Sequence, residues 1–402
     1  MVDQPVGFDF ATANRILFGA GTIGALPGLI RTWGQRVLVV TGRSAARVRP
    51  LVESLESEGL EPRLLSVLGE PTVEVVARGC HLAAEQRVEG VVAFGGGSAI
   101  DAAKAIAVLA TNPGDILDYL EVIGQGRALE KPGLPCVAVP TTAGTGAEVT
   151  RNAVLASAEH RVKVSLRSRL MLPRLAVVDP ELSYRLSPEP TAATGLDALT
   201  QLIEPFVSCR ANPMTDALCR EGMMRVARSL RPAHGAAVRI AQDPDAALDE
   251  SEKAARTDLA VAALFSGLAL ANAGLGAVHG FAGPIGGMFG ASHGSICAAL
   301  LPAVVSGNVS ALRARSPQHS ALDRYREMAV LLCADPNATI DQAIDWLRRL
   351  TADLAIPGLG QQGVADTELD AVVTRATAAS SMKGNPIALT REEMAAMLHA
   401  AW

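Results

Sequence analysis

As far as Asp179-Pro180 the chain repeats one unit, a short apolar run rich in Val and Leu followed by an amphipathic stretch of helical period. RVLVVT at Arg36–Thr41 reads as a buried strand and Ser44–Glu58 as the helix after it. Arg63–Val67 with Val73–Gln86, and Gly90–Phe94 with Ala99–Leu109, repeat the pair. Cys136–Val139 and Leu175–Val178 read as two further strands. Apolar runs without polar alternation are covered on both faces, and strands separated by helices run parallel. Few folds satisfy this: helices sandwich a parallel sheet, and ligands bind beyond the carboxyl ends of its strands.

After Asp179-Pro180 helical periodicity continues to the C-terminus and strand signals almost vanish. The 402 residues suffice for two domains, and 49% hydrophobic against 19% charged residues can bury a large core. We therefore expect an α/β Rossmann-like domain over residues 1–184 and an all-α domain over residues 185–402. A net charge of −5 with no Lys/Arg run offers nucleic acid no electrostatic footprint. The six cysteines show no CxxC spacing and read as reduced, core-packing thiols of a cytoplasmic protein. The N-terminal stretch lacks the basic start and apolar run of a signal peptide. Leu259–Val278 carries no charge over twenty residues, the length of a membrane span. Its glycines, Ser266 and Asn272, and the lack of flanking Lys/Arg or Trp/Tyr anchors, favour a helix buried on all sides instead.

Two loops at predicted strand ends carry ligand chemistry. Phe94-Gly95-Gly96-Gly97-Ser98 leaves a strand and enters a helix. Glycines let backbone approach a ligand closely, and the free N–H groups of a helix N-terminus favour phosphate. Ser98 reads as the helix cap, with Asp101 three residues on. The bland alternative is a tight turn with close strand–helix packing. Pro140–Glu148 (PTTAGTGAE) offers the hydroxyls of Thr141, Thr142 and Thr145 to a phosphate or ribose. Lys163 reads either as a counter-charge to the phosphates or as solvated surface. After the first strand, Gly42, Arg43 and Ser44 stand where an acidic residue would hold a ribose 2′-hydroxyl, which leans toward NADP(H).

In the helical half, Gly195–Glu204 (GLDALTQLIE) places Asp197 and Gln201 four apart on one helix face. His279 and His293 lie fourteen residues apart in Gly- and Ala-rich surroundings. A carboxylate, an amide oxygen and two imidazoles converging from separate segments would hold a divalent metal with a position open to substrate. On the bland reading Asp197 is an N-cap and Gln201 a surface residue.

In order, FGGGSAIDAAKAI, PTTAGTGAE, VVDPEL, GLDALTQLIE, AVHGFAGPIGG, SHG and SSMKGNP resemble the iron-containing (group III) alcohol dehydrogenase family, from about Phe18 to Pro386. The resemblance implies the dehydroquinate synthase-like fold and NAD(P)-dependent interconversion of alcohols with aldehydes or ketones. It assigns the pyrophosphate to Gly96, Gly97, Ser98 and Asp101, and sets Thr141, Thr142 and Thr145 against the cofactor with Lys163 nearby. The family's metal ligands are Asp, His, His and His. Asp197, His279 and His293 fall on three of these positions and Gln201 on the fourth. Gly283 stands where the family has a further histidine, four residues beyond His279. Relatives are often dimers or larger, so a homo-oligomer is expected.

The expected chemistry is Lewis-acid activation of the substrate oxygen by Fe²⁺ or Zn²⁺ at Asp197, Gln201, His279 and His293, with hydride exchanged with nicotinamide. Gln201 and Gly283 keep two alternatives in view: a metal-independent reductase resembling maleylacetate reductase, and a non-catalytic NAD(P)-binding relative. A phosphate-eliminating cyclase resembling dehydroquinate synthase would need several Lys and Arg residues, and the His279–His293 region has none. The small, apolar stretch Val261–Val305 suggests a modest uncharged alcohol or aldehyde as substrate.

Overall fold

A computed structural model describes residues 7–121, 123–157, 159–160 and 162–402. Two compact units emerge: one comprises residues 11–142 and 146–184, the other residues 185–402 with 143–145 and, at the N-terminus, 7–10.

In the first unit, strands β1 (Ile16–Phe18), β2 (Arg36–Thr41), β3 (Glu61–Ser66), β4 (Gly90–Gly95), β5 (Cys136–Pro140) and β8 (Leu175–Val178) form one sheet. Its order is β1-β8-β5-β4-β2-β3, and every pairing is parallel. Strands β6 (Asn152–Ser157) and β7 (Val162–Arg167) form a separate antiparallel ribbon. Successive residues of β2 point to opposite faces. Val37 and Val39 join the core that holds Val48, Leu51 and Leu55 of helix α1 (Ala45–Ser57). Leu38 and Val40 join the opposite core with Val76 of α2 (Val73–Glu85) and Ile100 and Ile106 of α3 (Gly97–Leu109). Burying each such aliphatic side chain contributes about 1.5–3 kcal/mol, so both helical layers are held by the same strands.

Register fixes where ligand loops emerge. Thr41 lies opposite Phe94, and Gly95 opposite Pro140, so β2, β4 and β5 end nearly level. Gly42, Gly96–Ser98 and Thr141–Thr142 therefore leave one edge of the sheet together.

Strands β1, β6 and β7 are additional to the sequence reading. Strand β1 is three residues long, too short for periodicity. Strands β6 and β7 mix Asn, Ser, Lys and Arg with their apolar residues and bury only alternate positions.

The second unit is helical: α4 (Pro188–Val207), α5 (Pro213–Gln242), α6 (Glu250–Ala273), α7 (Ala277–Phe289), α8 (His293–Arg315), α9 (Ala321–Cys333), α10 (Ile340–Asp353), α11 (Leu369–Thr377) and α12 (Arg391–Ala401). Helix α4 is buried along most of its length. Gly195 permits that: a Cβ there would lie 2.3 Å from Cδ1 of Leu230 on α5. The uncharged stretch Leu259–Val278 is not one helix, contrary to expectation. Helix α6 stops at Ala273, Gly274 adopts φ 74°, and α7 starts at Ala277. A left-handed glycine ends a helix at little cost. Helices α6 and α8 are long and apolar enough to cross a membrane, and 67% of the apolar window of each is buried within the protein.

Candidate metal centre

Helices α4, α7 and α8 each bring side chains to one point. On α4, Asp197, Gln201 and Glu204 follow at i, i+4 and i+7 and make a buried stripe of acid and amide groups on a largely apolar helix. His279 sits in the first turn of α7 and His293 is the first residue of α8. Asp197 Oδ1 lies 3.4 Å from His279 Nε2 and 3.9 Å from His293 Nε2. The two rings are 5.4 Å apart. Cys297, one turn beyond His293, places Sγ 3.8 Å from Nε2 of each histidine. One donor atom from each of Asp197, His279, His293 and Cys297 lies within 4.8 Å of the others.

Glu204 orients this cluster. One carboxylate oxygen accepts the Val278 N–H at 2.7 Å, and the other lies 2.6 Å from His279 Nδ1. In its neutral form, a histidine that donates from Nδ1 keeps a lone pair on Nε2, and that nitrogen here faces Asp197, His293 and Cys297. The neighbouring N–H of Ala277 goes to Asn385 Oδ1 at 3.2 Å. These two side chains cap α7, and Gly276 makes room for them: a Cβ there would lie 3.0 Å from Glu204 Oε1 and 3.1 Å from Asn385 Oδ1. Glu204 and Asn385 stand inside the quoted GLDALTQLIE and SSMKGNP stretches. For Glu204, the i+7 spacing from Asp197 is the signal that would have found it.

Gln201 is not placed as a ligand. Its Nε2 donates to Asp197 Oδ2 at 2.8 Å, and its Oε1 faces Ser266 Oγ at 3.3 Å. Turning the amide over would set its oxygen against the carboxylate, acceptor to acceptor. Gln201 thus holds Asp197 in place instead of offering oxygen to an ion. Cys297, expected as a core thiol, stands among the imidazoles instead.

The electrostatics follow from burial and from these neighbours. Burial opposes the Asp197 charge, but His279 and His293 outweigh it and hold the carboxyl below its ordinary value. Burial would lower His279, yet Cys297, Glu204 and Asp197 hold it well above the ordinary imidazole value. Cys297 raises His293 against the pull of burial. Burial would raise the Cys297 thiol, and the two imidazoles more than reverse this. Asp197 Oδ1 is buried and accepts no hydrogen bond. An orphaned carboxylate oxygen facing two imidazole nitrogens is the environment a divalent cation completes, so the residues fit one.

In the first unit, helix α3 is capped by Gly96, so Ser98 lies inside its first turn and is not the cap. Gly95 is needed for the approach of strand to helix, since a Cβ there would lie 2.7 Å from the Ala99 Cβ. At Gly96 a Cβ would lie 3.3 Å from Thr142 Oγ1, so the glycine and threonine loops touch. The Thr141 N–H donates to Gly95 O at 2.9 Å. Asp101, expected at the pyrophosphate, is committed elsewhere: it pairs with Lys104 at 3.0 Å and accepts the Val154 N–H at 2.9 Å. Lys104 in turn donates to Ala147 O and Thr150 Oγ1 at 2.9 Å each. That network ties α3 to the end of the threonine loop and to the chain that follows it. Lys163 pairs with Glu70 at 3.1 Å. Ser44 caps α1 through its backbone, and Arg43 donates to Leu68 O at 3.1 Å. Residues 143–145 belong to the helical unit, where Ser266 Oγ lies 3.3 Å from Gly144 O.

Both halves of a nicotinamide- and metal-dependent oxidoreductase are therefore represented. Residues 13–180 match the family model of iron-containing alcohol dehydrogenase, and residues 191–402 match that of the Fe-containing alcohol dehydrogenase family, C-terminal. Alcohol dehydrogenase 4 of Saccharomyces cerevisiae (strain YJM789) is 34% identical over 394 residues, covering 96% of each chain. Lactaldehyde reductase of Escherichia coli (strain K12) is 30% identical over 407 residues, covering 97% of this chain and 100% of its own. The crystal structure of a 1,3-propanediol oxidoreductase matches with a TM-score of 0.88 at 31% identity, covering 98% of this chain and 100% of that one. The chain belongs to the iron-containing alcohol dehydrogenase family. It is an oxidoreductase acting on CH–OH groups with NAD(P) and a divalent metal, and its substrates are small-molecule alcohols or aldehydes.

Proposed function

We propose that substrate is activated at the cluster on α4, α7 and α8, with Asp197, His279 and His293 as metal ligands. Gly96, Gly97, Ser98, Thr141 and Thr142 bind NAD(P), with Gly42, Ser44, Thr145 and Lys163 contributing around it. Bound there, a divalent cation supplies Lewis-acid polarisation of the substrate oxygen, and the nicotinamide supplies or accepts the hydride. The protein's part is orientation. Glu204 fixes the His279 tautomer, and Gln201 holds Asp197 Oδ2 so that Oδ1 remains free. Gly283 offers no proton donor one turn beyond His279, which leaves that task to water or a ribose hydroxyl. The absence of an acid at residues 42–44 favours NADP(H). The substrate is a modest uncharged alcohol or aldehyde, and the enzyme works in the cytoplasm as a homo-oligomer.

The observation that carries this reading is the buried, unbonded Asp197 Oδ1 facing two imidazole nitrogens. Mass spectrometry of metal content in protein purified without chelator should find a divalent ion. A panel of aldehydes assayed with NADH and NADPH should show reductase activity that chelation abolishes. Full activity in metal-free protein would remove the Lewis-acid role.

A further inference from the structure

We infer that Cys297 is the fourth metal ligand, taking the place that Gln201 does not fill, and that the resulting Asp-His-His-Cys centre selects Zn²⁺ over Fe²⁺. The inference rests on the metal reading above and goes beyond it in naming the donor and the ion. Its ground is geometric. In a tetrahedral zinc site, Zn–N near 2.0–2.1 Å and Zn–S near 2.3 Å put neighbouring donors roughly 3.4–3.6 Å apart. Here Sγ stands 3.8 Å from both Nε2 atoms, and Asp197 Oδ1 stands 3.4 and 3.9 Å from them. Small adjustments of four side chains suffice.

Position on the helix explains the placement. Residues four apart lie one above the other, so His293 and Cys297 present their donors from one face of α8. The thiol is fully buried, with Sγ 3.8 Å from each of those two ring nitrogens. The Asp197 oxygen that completes the cluster is itself buried and accepts no hydrogen bond. Gln201, by contrast, spends its nitrogen on Asp197. Thiolate with imidazole is a soft donor pair that suits zinc, and zinc lies above ferrous iron in general affinity order. On binding, the Sγ–H bond breaks and its proton leaves to solvent, so the ligand is the thiolate.

Cobalt substitution tests this without reference to turnover. Metal-free protein titrated with Co²⁺ should bind one ion per chain and show a near-ultraviolet thiolate-to-cobalt charge-transfer band beside the visible ligand-field bands. Cys297→Ser should keep ligand-field bands, lose the charge-transfer band and bind Zn²⁺ at least ~10-fold more weakly. Gln201→Ala should keep the charge-transfer band. Cells grown with both metals should yield mainly zinc protein. Ligand-field bands without charge transfer in the unaltered protein, or a band that survives Cys297→Ser, would overturn the cysteine assignment while leaving the centre standing. Iron predominating in the purified protein would overturn the selectivity. Failure of the unaltered, folded protein to bind any divalent ion would overturn the metal reading itself, and this inference with it.

Discussion

Replacing Glu204 by Gln changes one atom and should disable the centre. The carboxylate of Glu204 has two acceptor oxygens and uses both, on the Val278 N–H at 2.7 Å and on His279 Nδ1 at 2.6 Å. An amide has one acceptor and one donor. If its oxygen stays on Val278, its NH₂ faces Nδ1, and His279 must move its proton to Nε2. That hydrogen then occupies the direction in which the lone pair meets Asp197 and Cys297. If the amide turns over, the Val278 N–H is left facing a donor at the buried start of α7. Either way one charge-assisted hydrogen bond is lost, a difference of about 1.5–3 kcal/mol. At 1.4 kcal/mol per tenfold, metal affinity should fall about 10–100-fold, the range typical of groups that orient a metal-binding histidine. Chelator competition with Zn²⁺ or Co²⁺ measures it, and circular dichroism with thermal melting of the metal-free variant establishes that α7 is intact. A folded Glu204→Gln protein whose metal Kd stays within twofold of the parent's would refute the tautomer argument.

Glu148, at the end of the threonine loop, is pushed up to about 7 by burial, against the pull of its own backbone hydrogen bond and of Lys104. The native state keeps that proton up to about pH 7 while the unfolded chain releases it near 4.5, so stability falls as pH rises between those values, by roughly 3 kcal/mol. Glu148→Gln should flatten that part of a urea-stability profile, and an unchanged slope would exclude Glu148 as its source. A Cβ at Gly283 meets nothing within 4 Å, so the position is open to the start of a side chain, and Gly283→His should, by supplying a proton donor, raise the reductive kcat by about tenfold or more; a folded variant with unchanged kcat and pH profile would mean that no side-chain donor is missing. Gly195→Ala forces a methyl to 2.3 Å from Leu230 Cδ1. That overpacking should cost about 1–3 kcal/mol and outweigh the helix-propensity gain of about 1 kcal/mol; a more stable variant in urea melts would show that Leu230 moves aside freely.

What was legible in the chain was what burial writes into consecutive residues. Strands β2, β4, β5 and β8 are covered on both faces, so each is an unbroken apolar run, and the helices between them show their period directly. The ribbon β6–β7 buries only alternate residues and carries Lys and Arg, so composition conceals it. Leu259–Val278 misled for the opposite reason, because lack of charge says nothing of where a helix breaks, and the break is a matter of φ at Gly274. At the metal centre Asp197, His279 and His293 stood out as polar groups in apolar or small-residue surroundings. Cys297 did not, because a thiol is at home in a core. Its relation to His293 is a plain i, i+4 spacing, but that spacing means nothing until a helix is known to begin at His293, with Ser292 as its N-cap. Gln201 shows the converse limit: its residue type and spacing suit a ligand, and only the neighbour that takes its nitrogen removes it from the set. Which donors converge on one point is a property of the second contact each side chain makes. Sequence spacing reports the first contact alone, which is why Cys297→Ser and Glu204→Gln are more searching tests of this centre than loss of any of the three residues that announce themselves.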